Sequence, residues 1–211
     1  MGELFVFGAS TECGAWDEEG GWVERLRRFL YKKAIKTSLD NGWIVNNLAV
    51  DGDDSSGMLK RIESEIKPRL WPDSDQIILI VVGANDSLYN NKTKKLRVPL
   101  EKFKENMLQI FEIAKKYSDK VAYIAHMPCD ESKVDPVPWL LECSYKNENS
   151  GKIFSLAEQA AREKNIEFIN LFSKFKSSYK NLLIDGVHPN SQGHEQVFNI
   201  VKDFLIKKKW I

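Results

Sequence analysis

Three side chains that together make a serine nucleophile stand at the two ends of this 211-residue chain. Ser10 follows the apolar run "ELFVF", and Asp185 and His188 lie in "DGVHP" near the end. A serine hydroxyl becomes an effective nucleophile when a neutral imidazole removes its proton. The imidazole works best when a carboxylate holds its other ring nitrogen. We therefore predict a catalytic triad of Ser10, His188 and Asp185.

Each member of this triad also has a purely structural interpretation. A serine after a strand is commonly a turn or cap residue, and Asp185 could serve only to accept backbone N–H groups at a helix entry. The spacing favours chemistry, since a carboxylate three residues before a histidine can fold back onto the ring across the intervening glycine. We interpret the other two histidines, His126 and His194, as a rim or core residue and a surface residue respectively.

Two further segments could stabilise negative charge on a reacting oxygen. Asn85 lies in "VVGAND", after the most apolar run of the chain, and its side-chain amide can donate to an oxyanion. Gly52, in "AVDGDD", could bring its backbone N–H to the same point because no side chain blocks the approach. Asn85 could instead close a turn, and Gly52 alone is a weak signal.

Strand-like and helix-like segments alternate along the whole chain, with no repeat and no low-complexity linker. This alternation predicts a single α/β domain over residues 1–211. We expect a three-layer α/β/α fold with a five-stranded parallel sheet in flavodoxin-like order. In such sheets sites lie beyond the carboxyl ends of the strands, where Ser10, Gly52 and Asn85 are all expected.

One long connection, residues 128–149, interrupts the alternation with three prolines and little periodicity. It follows the fourth predicted strand, so we expect it to overhang the site as a mobile flap. Trp139 in this segment, and Trp16 close to Ser10, could stack on a sugar or an acyl group, or could simply pack. We predict that both contact substrate, whereas Trp22 lies on the apolar face of a predicted helix.

The composition excludes several other classes of function. A formal net charge of +1 offers no electrostatic basis for binding nucleic acid or an anionic membrane, and no apolar run approaches the ~20 residues of a membrane span. Three cysteines without a C-x-x-C pair argue against a zinc site and for a reducing compartment. We expect a cytoplasmic protein without leader, metal or cofactor, whose partner is a small-molecule ester. Its oligomeric state stays open.

Taken together, the segments "FGASTECG", "AVDGDD", "VVGAND" and "DGVHPNSQGH" resemble the SGNH-hydrolase superfamily, the GDSL-type esterases and lipases. The resemblance implies that Ser10 is the nucleophile, His188 the base and Asp185 the orienting acid. It also implies an oxyanion hole made by the Ser10 N–H, the Gly52 N–H and the Asn85 side chain. The family's usual Gly-Asp-Ser is Gly-Ala-Ser here, so that Ala9 lacks a carboxylate that helps to hold the loop.

These patterns predict a serine esterase acting on a short acyl ester through an acyl-enzyme intermediate, with O-acetyl carbohydrate as one candidate substrate. Two other interpretations remain. The hydroxyl-rich segment after the first strand could bind the phosphate of a flavin in a flavodoxin-like carrier. The same fold could also serve as a non-catalytic binding module.

Overall fold

The computed structural model describes residues 1–40 and 42–211, and within these residues five parallel strands form the main sheet. Strands are numbered in chain order, and the main sheet runs β2-β1-β3-β6-β8. Its strands are β1 (Gly2–Phe7), β2 (Trp43–Asn47), β3 (Asp75–Ile80), β6 (Lys120–Ala125) and β8 (Glu167–Asn170). This is the predicted flavodoxin-like order, with the first strand between the second and third.

Helices cover both faces of this sheet, which confirms the three-layer prediction. On one face α2 (Gly21–Lys36) packs against α8 (Ser191–Lys207). On the other, α4 (Leu100–Lys115) lies between α3 (Ser55–Ile66) and α6 (Asn147–Glu163). The shorter helices are α1 (Ser10–Cys13), α5 (Glu131–Val134) and α7 (Leu171–Lys174), with 3-10 turns at Lys67–Arg69 and Lys180–Leu182.

The apolar run of β1 is continuous because both of its faces are buried. Leu4 and Val6 pack into the layer of α2 and α8, whereas Phe5 and Phe7 pack into the opposite layer. Successive side chains of a strand point to opposite faces, so a strand covered on both sides must be apolar throughout. This central position places Ser10, three residues beyond the end of β1, above the middle of the sheet.

Helix α3 begins directly after the polar segment that carries Gly52. The carboxylate of Asp54 caps it, accepting hydrogen bonds from the N–H groups of Ser56 (2.9 Å) and Gly57 (3.0 Å). Ser55 is the first helical residue, and its N–H donates to the buried carboxyl of Asp86 at 3.0 Å. An aspartate at this position accepts from two amides of the first turn that have no partner within the helix, which makes it a strong capping residue.

Residues 128–149 are built differently from the irregular loop that we expected. They contain α5 and the short strand β7 (Cys143–Ser144), which pairs antiparallel with β4 (Tyr89–Asn90); β4 also pairs with β5 (Lys95–Leu96). Within the described part of the chain these strands form a small second sheet. An apolar cluster that includes Leu88, Val134, Val137 and Tyr145 lies beneath them. Strands of two residues leave no periodic pattern in a sequence, which is why the prediction missed them.

Candidate active site

The structure brings Ser10, His188 and Asp185 into one chain of hydrogen bonds. The Ser10 Oγ lies 2.7 Å from His188 Nε2, and His188 Nδ1 lies 2.6 Å from Asp185 Oδ2. Ser10 is the first residue of α1, directly after β1, whereas the other two residues precede α8. Residues 178 positions apart in sequence thus meet because α8 packs close to the end of the central strand.

The turn that carries Asp185 and His188 is held by its own carboxylate. Asp185 Oδ1 accepts the N–H groups of Val187 (2.9 Å) and His188 (2.8 Å). Gly186 has φ +98°, and a Cβ there would meet Lys133 and Val134 at under 3 Å, so both backbone geometry and space require glycine. Burial raises the pKa of Asp185, but hydrogen bonds from the His188 ring and from the turn lower it to about 2. The carboxylate is therefore charged at neutral pH and can stabilise an imidazolium.

Asn85 follows β3, and its side chain is fixed at both ends. Its Nδ2 donates to the backbone carbonyl of Asp53 at 2.9 Å, and its Oδ1 accepts the hydroxyl of Tyr145 at 2.7 Å. Asn85 and Ser10 line the same cavity. The carbonyl of Asp53 occupies one hydrogen of the amide, which leaves the other hydrogen for a reacting oxygen.

Gly52 lies in the turn between β2 and α3, next to Asp53. Its φ of +71° is in the left-handed region, where glycine is favoured, and a Cβ there would meet no atom within 4 Å. Backbone conformation rather than crowding therefore selects glycine at this position. Gly52 is exposed, whereas Asp53 beside it lines the cavity with Ser10.

Two indole rings flank the ring of His188. The Trp16 ring stands edge-on to it and the Trp139 ring is tilted by 32°, each with a centroid distance of 6.3 Å. Both side chains are open to solvent, with Trp16 67% and Trp139 56% exposed. They therefore form two walls at the mouth of the site, and their contact with substrate stays a prediction.

Trp16 has a second contact that the sequence did not suggest. Its indole N–H donates to Asp185 Oδ2 at 3.1 Å, the same oxygen that faces His188 Nδ1. Trp16 has φ +64°, an unusual conformation for a bulky residue. The next residue anchors it, since Asp17 pairs with Arg25 and accepts the N–H of Gly21 at 2.9 Å. The indole is thus held against the carboxylate that faces the His188 ring.

The chain matches the family of GDSL-like lipases and acylhydrolases over residues 4–201. It belongs to this family. The isoamyl acetate-hydrolyzing esterase 1 homolog of Homo sapiens is 24% identical over 217 residues, covering 97% of this chain and 82% of that protein. The Bos taurus homolog is 26% identical over 228 residues, with the same coverage.

Solved structures show the same fold at low sequence identity. A lipase/acylhydrolase from Enterococcus faecalis has a TM-score of 0.74 at 20% identity, covering 99% of this chain and 97% of the other. The acetyl xylan esterase AlAXEase has a TM-score of 0.72 at 19% identity, covering 96% and 99%. The family membership confirms the predicted resemblance and makes this chain a carboxylic ester hydrolase.

A small cavity of about 40 Å³ lies beside Ser10 in this esterase. Its inner wall is mostly apolar and includes Val82, Ile124, Met127 and Phe154. A single buried water needs roughly 10–15 Å³ by the same measure, so the cavity has room for a group of only a few heavy atoms. Ser10 and Asn85 both line this cavity.

A buried carboxyl, Glu12, lies beneath the Ser10 loop. Its Oε2 accepts the N–H of Ala9 at 3.1 Å, and its Oε1 accepts the indole N–H of Trp22 at 3.2 Å. Burial raises the pKa of Glu12 to about 7, against the effect of these hydrogen bonds. Ala9 has no side chain that could hold the loop around Ser10, and Glu12 holds it instead by accepting the Ala9 N–H. We did not predict this role from the sequence.

The remaining histidines are both packed inside the molecule. His126 lines the cavity with its Nε2 3.9 Å from Glu12 Oε2, and burial together with nearby His188 lowers its pKa to about 4. Because the imidazole is neutral at pH 7, His126 and Glu12 do not form an ion pair. His194, which we expected at the surface, is fully buried, and its Nδ1 accepts the N–H of Trp22 at 3.3 Å. Helix α8 packs against α2, which turns this residue inward.

Proposed function

We propose that this enzyme hydrolyses short-chain acyl esters with Ser10 as nucleophile, His188 as general base and Asp185 as the group that orients the imidazole. The observation that carries this proposal is the hydrogen-bonded chain from Ser10 through His188 to Asp185, at 2.7 and 2.6 Å. Its distances fall within the range of a nucleophile and base ready for proton transfer.

In the first half of the reaction, Ser10 Oγ forms a bond to the ester carbonyl carbon while its proton moves to His188 Nε2. The negatively charged Asp185 stabilises the resulting imidazolium. The carbon–oxygen bond to the alcohol then breaks, and His188 returns its proton to the departing oxygen. In the second half a water molecule attacks the acyl carbon while its proton moves to His188. The bond between the acyl carbon and Ser10 Oγ then breaks, the proton returns from His188 to Oγ, and the acid leaves.

The oxyanion formed at each attack needs donors that are already in place. We assign this role to the backbone N–H groups of Ser10 and Gly52 and to the Asn85 side chain. The two fixed ends of the Asn85 amide support this assignment, since a donor that need not reorganise stabilises the transition state most.

The cavity beside Ser10 supports a short acyl group such as acetyl, because about 40 Å³ leaves no room for a long chain. The alcohol part would then lie at the mouth of the site between Trp16 and Trp139. An exposed pair of indoles suits a flat apolar alcohol or the face of a sugar ring. Two relatives are named for acetate esters, an isoamyl acetate-hydrolyzing esterase homolog and an acetyl xylan esterase, which supports the acetyl group.

The other two interpretations receive less support. A phosphate-binding loop needs hydroxyl and N–H groups free for a ligand, but Ser10 is bonded to His188 and the short α1 carries the carboxyl of Glu12 beneath it. A non-catalytic module would leave the arrangement of Asp185 and His188 without a purpose.

A panel of p-nitrophenyl esters of rising acyl length, measured beside acetylated sugars, tests the proposed substrate class. We expect kcat/KM to be highest for acetate and to fall steeply as the acyl chain lengthens. The His188→Ala variant should lose nearly all turnover, whereas His194→Ala should keep it if it folds. A preference for long acyl chains would contradict the small cavity as the acyl site.

A cytoplasmic location stays part of this proposal. In the part of the chain that the structure describes, no helix is both long and apolar enough to cross a bilayer. Cys13, Cys129 and Cys143 are free thiols, which is compatible with a reducing compartment. Fractionation of cells with an antibody to this protein tests the location.

A further inference from the structure

The Asn85 amide touches two groups of different hydrogen-bonding character. The backbone carbonyl of Asp53 can only accept, so the Asn85 nitrogen must face it, at 2.9 Å. The Asn85 oxygen then faces the Tyr145 hydroxyl, at 2.7 Å, and that hydroxyl must donate. The two contacts together fix which end of the amide points toward the cavity and Ser10.

Tyr145 is itself held firmly. Its side chain is only 8% exposed and packs in the apolar cluster with Leu88, Val134 and Val137. Its backbone N–H donates to the carbonyl of Val134 at 3.1 Å. Burial raises the pKa of the Tyr145 hydroxyl to about 12, so it stays protonated and able to donate over the whole working pH range of an esterase.

The segment that carries Tyr145 is tied to the molecule at its other end as well. The side chain of Asn147 accepts the N–H of Cys129 at 2.9 Å and donates to the carbonyl of the same residue at 2.8 Å. Strand β7, directly before Tyr145, pairs with β4. The hydroxyl that meets Asn85 is therefore placed by residues 128–149, a segment that contributes no member of the triad.

We propose that Tyr145 is a positioning residue for the oxyanion hole, holding the Asn85 amide so that its nitrogen faces the reacting oxygen. Through it, residues 128–149 support the chemistry of the site as well as covering it. This role rests on the proposed ester hydrolysis through Ser10 and Asn85. Tyr145 also lines the cavity beside Ser10, but the proposed role acts through the bond of its hydroxyl to Asn85.

The Tyr145→Phe variant removes only the hydroxyl and keeps the ring in its apolar cluster. We expect kcat for p-nitrophenyl acetate to fall about fivefold, the factor that one neutral hydrogen bond typically supplies, with KM nearly unchanged. In the Asn85→Ala background the same substitution should have no further effect on kcat, because the amide it positions is gone. A residue that merely stabilised the fold would lower kcat equally in both backgrounds.

The matched control is Tyr117→Phe, which removes a hydroxyl bonded at 2.8 Å to Glu63 and should leave kcat unchanged. This bond lies near the carboxyl ends of α3 and α4, and neither residue lines the cavity beside Ser10. Thermal denaturation of each variant verifies folding. If the wild-type enzyme is active and Tyr145→Phe has the same kcat, the proposed role of Tyr145 is wrong but the proposed ester hydrolysis still stands. A wild-type protein without esterase activity would overturn the proposed function and this role with it.

Discussion

At the scale of single residues, the sequence pointed to the three side chains of the proposed triad but not to the groups that hold them. Ser10, Asp185 and His188 could be chosen by chemical type and local spacing, and the structure places them in contact. The bond from Trp16 to Asp185 joins residues 169 positions apart and depends on the left-handed backbone of Trp16. No local pattern indicates such a contact, and the same is true of the bond between Tyr145 and Asn85.

The two contacts of Trp16 can be separated by substitution. Trp16→Phe keeps an aromatic wall but removes the N–H that donates to Asp185, so we expect kcat to fall two- to fivefold, corresponding to about 0.5–1 kcal/mol. The ranking of ester substrates should stay the same. Trp16→Ala should lower kcat and change the ranking as well.

Steady-state kinetics on three acetate esters with different alcohol groups measures both effects. Trp71→Phe, at another exposed tryptophan whose backbone N–H bonds Glu3, is the matched control and should behave as wild type. Equal kcat in Trp16→Phe and wild type would show that the indole N–H does not support Asp185.

Glu12 should make stability depend on pH in a definite direction. Its pKa is raised from 4.5 to about 7 by burial, so between these values the folded protein binds more protons than the unfolded chain. Stability contributed by neutral Glu12 is therefore full below pH 4.5 and is lost as the pH rises through 7. Over the range from pH 5 to pH 8 the loss amounts to about 2–3 kcal/mol.

Urea unfolding of wild type and Glu12→Gln at pH 5 and pH 8 tests this. The variant cannot titrate, so the unfolding free energy of wild type minus that of the variant should fall by about 2–3 kcal/mol from pH 5 to pH 8. His126 and His194, whose lowered pKa values favour folding at higher pH, are present in both proteins and cancel. A difference that is constant with pH would show that Glu12 is charged in the folded state.

At the scale of elements, long periodic segments were predicted well and short ones were not. The five strands and five long helices carry apolar residues at the spacing of their type, because each buries one or two faces against the sheet. Strands β4, β5 and β7 are two residues long, and their pairing is set by tertiary contacts. The cap at Asp54 was missed because several polar residues in "DGDDSSG" could each serve as a cap.

The segment 128–149 carries Trp139 over the site and Tyr145 against Asn85, so its two aromatic residues should have separable effects. Trp139→Ala should change the ranking of ester substrates by their alcohol group while a small fluorophosphonate still labels Ser10 at the wild-type rate.

Limited proteolysis should cut this segment near the exposed Trp139, Leu140 and Leu141 before other sites, and more slowly with inhibitor bound. If the substrate ranking of Trp139→Ala is unchanged and the inhibitor does not slow cleavage, Trp139 does not contact the substrate.

At the scale of the whole molecule, the alternation of strands and helices predicted the layers and the sheet order. Short, right-handed crossover connections leave few arrangements for such a chain, and the observed order is one of them. Ser10, the Gly52 turn and Asn85 follow β1, β2 and β3, which are neighbours in the sheet. The position of Asp185 and His188 could be predicted only through the packing of α8, since their turn follows no strand of the main sheet.

The central claim, covalent catalysis by Ser10, is tested most directly by mapping the residue that a fluorophosphonate modifies. We expect wild-type enzyme to gain one phosphonyl group, found by peptide mass spectrometry on Ser10, with loss of p-nitrophenyl acetate hydrolysis in proportion to labelling. His188→Ala should react far more slowly, because the hydroxyl has lost its base. Ser10→Ala that is still labelled, or still hydrolyses the ester at the wild-type rate, would contradict the account.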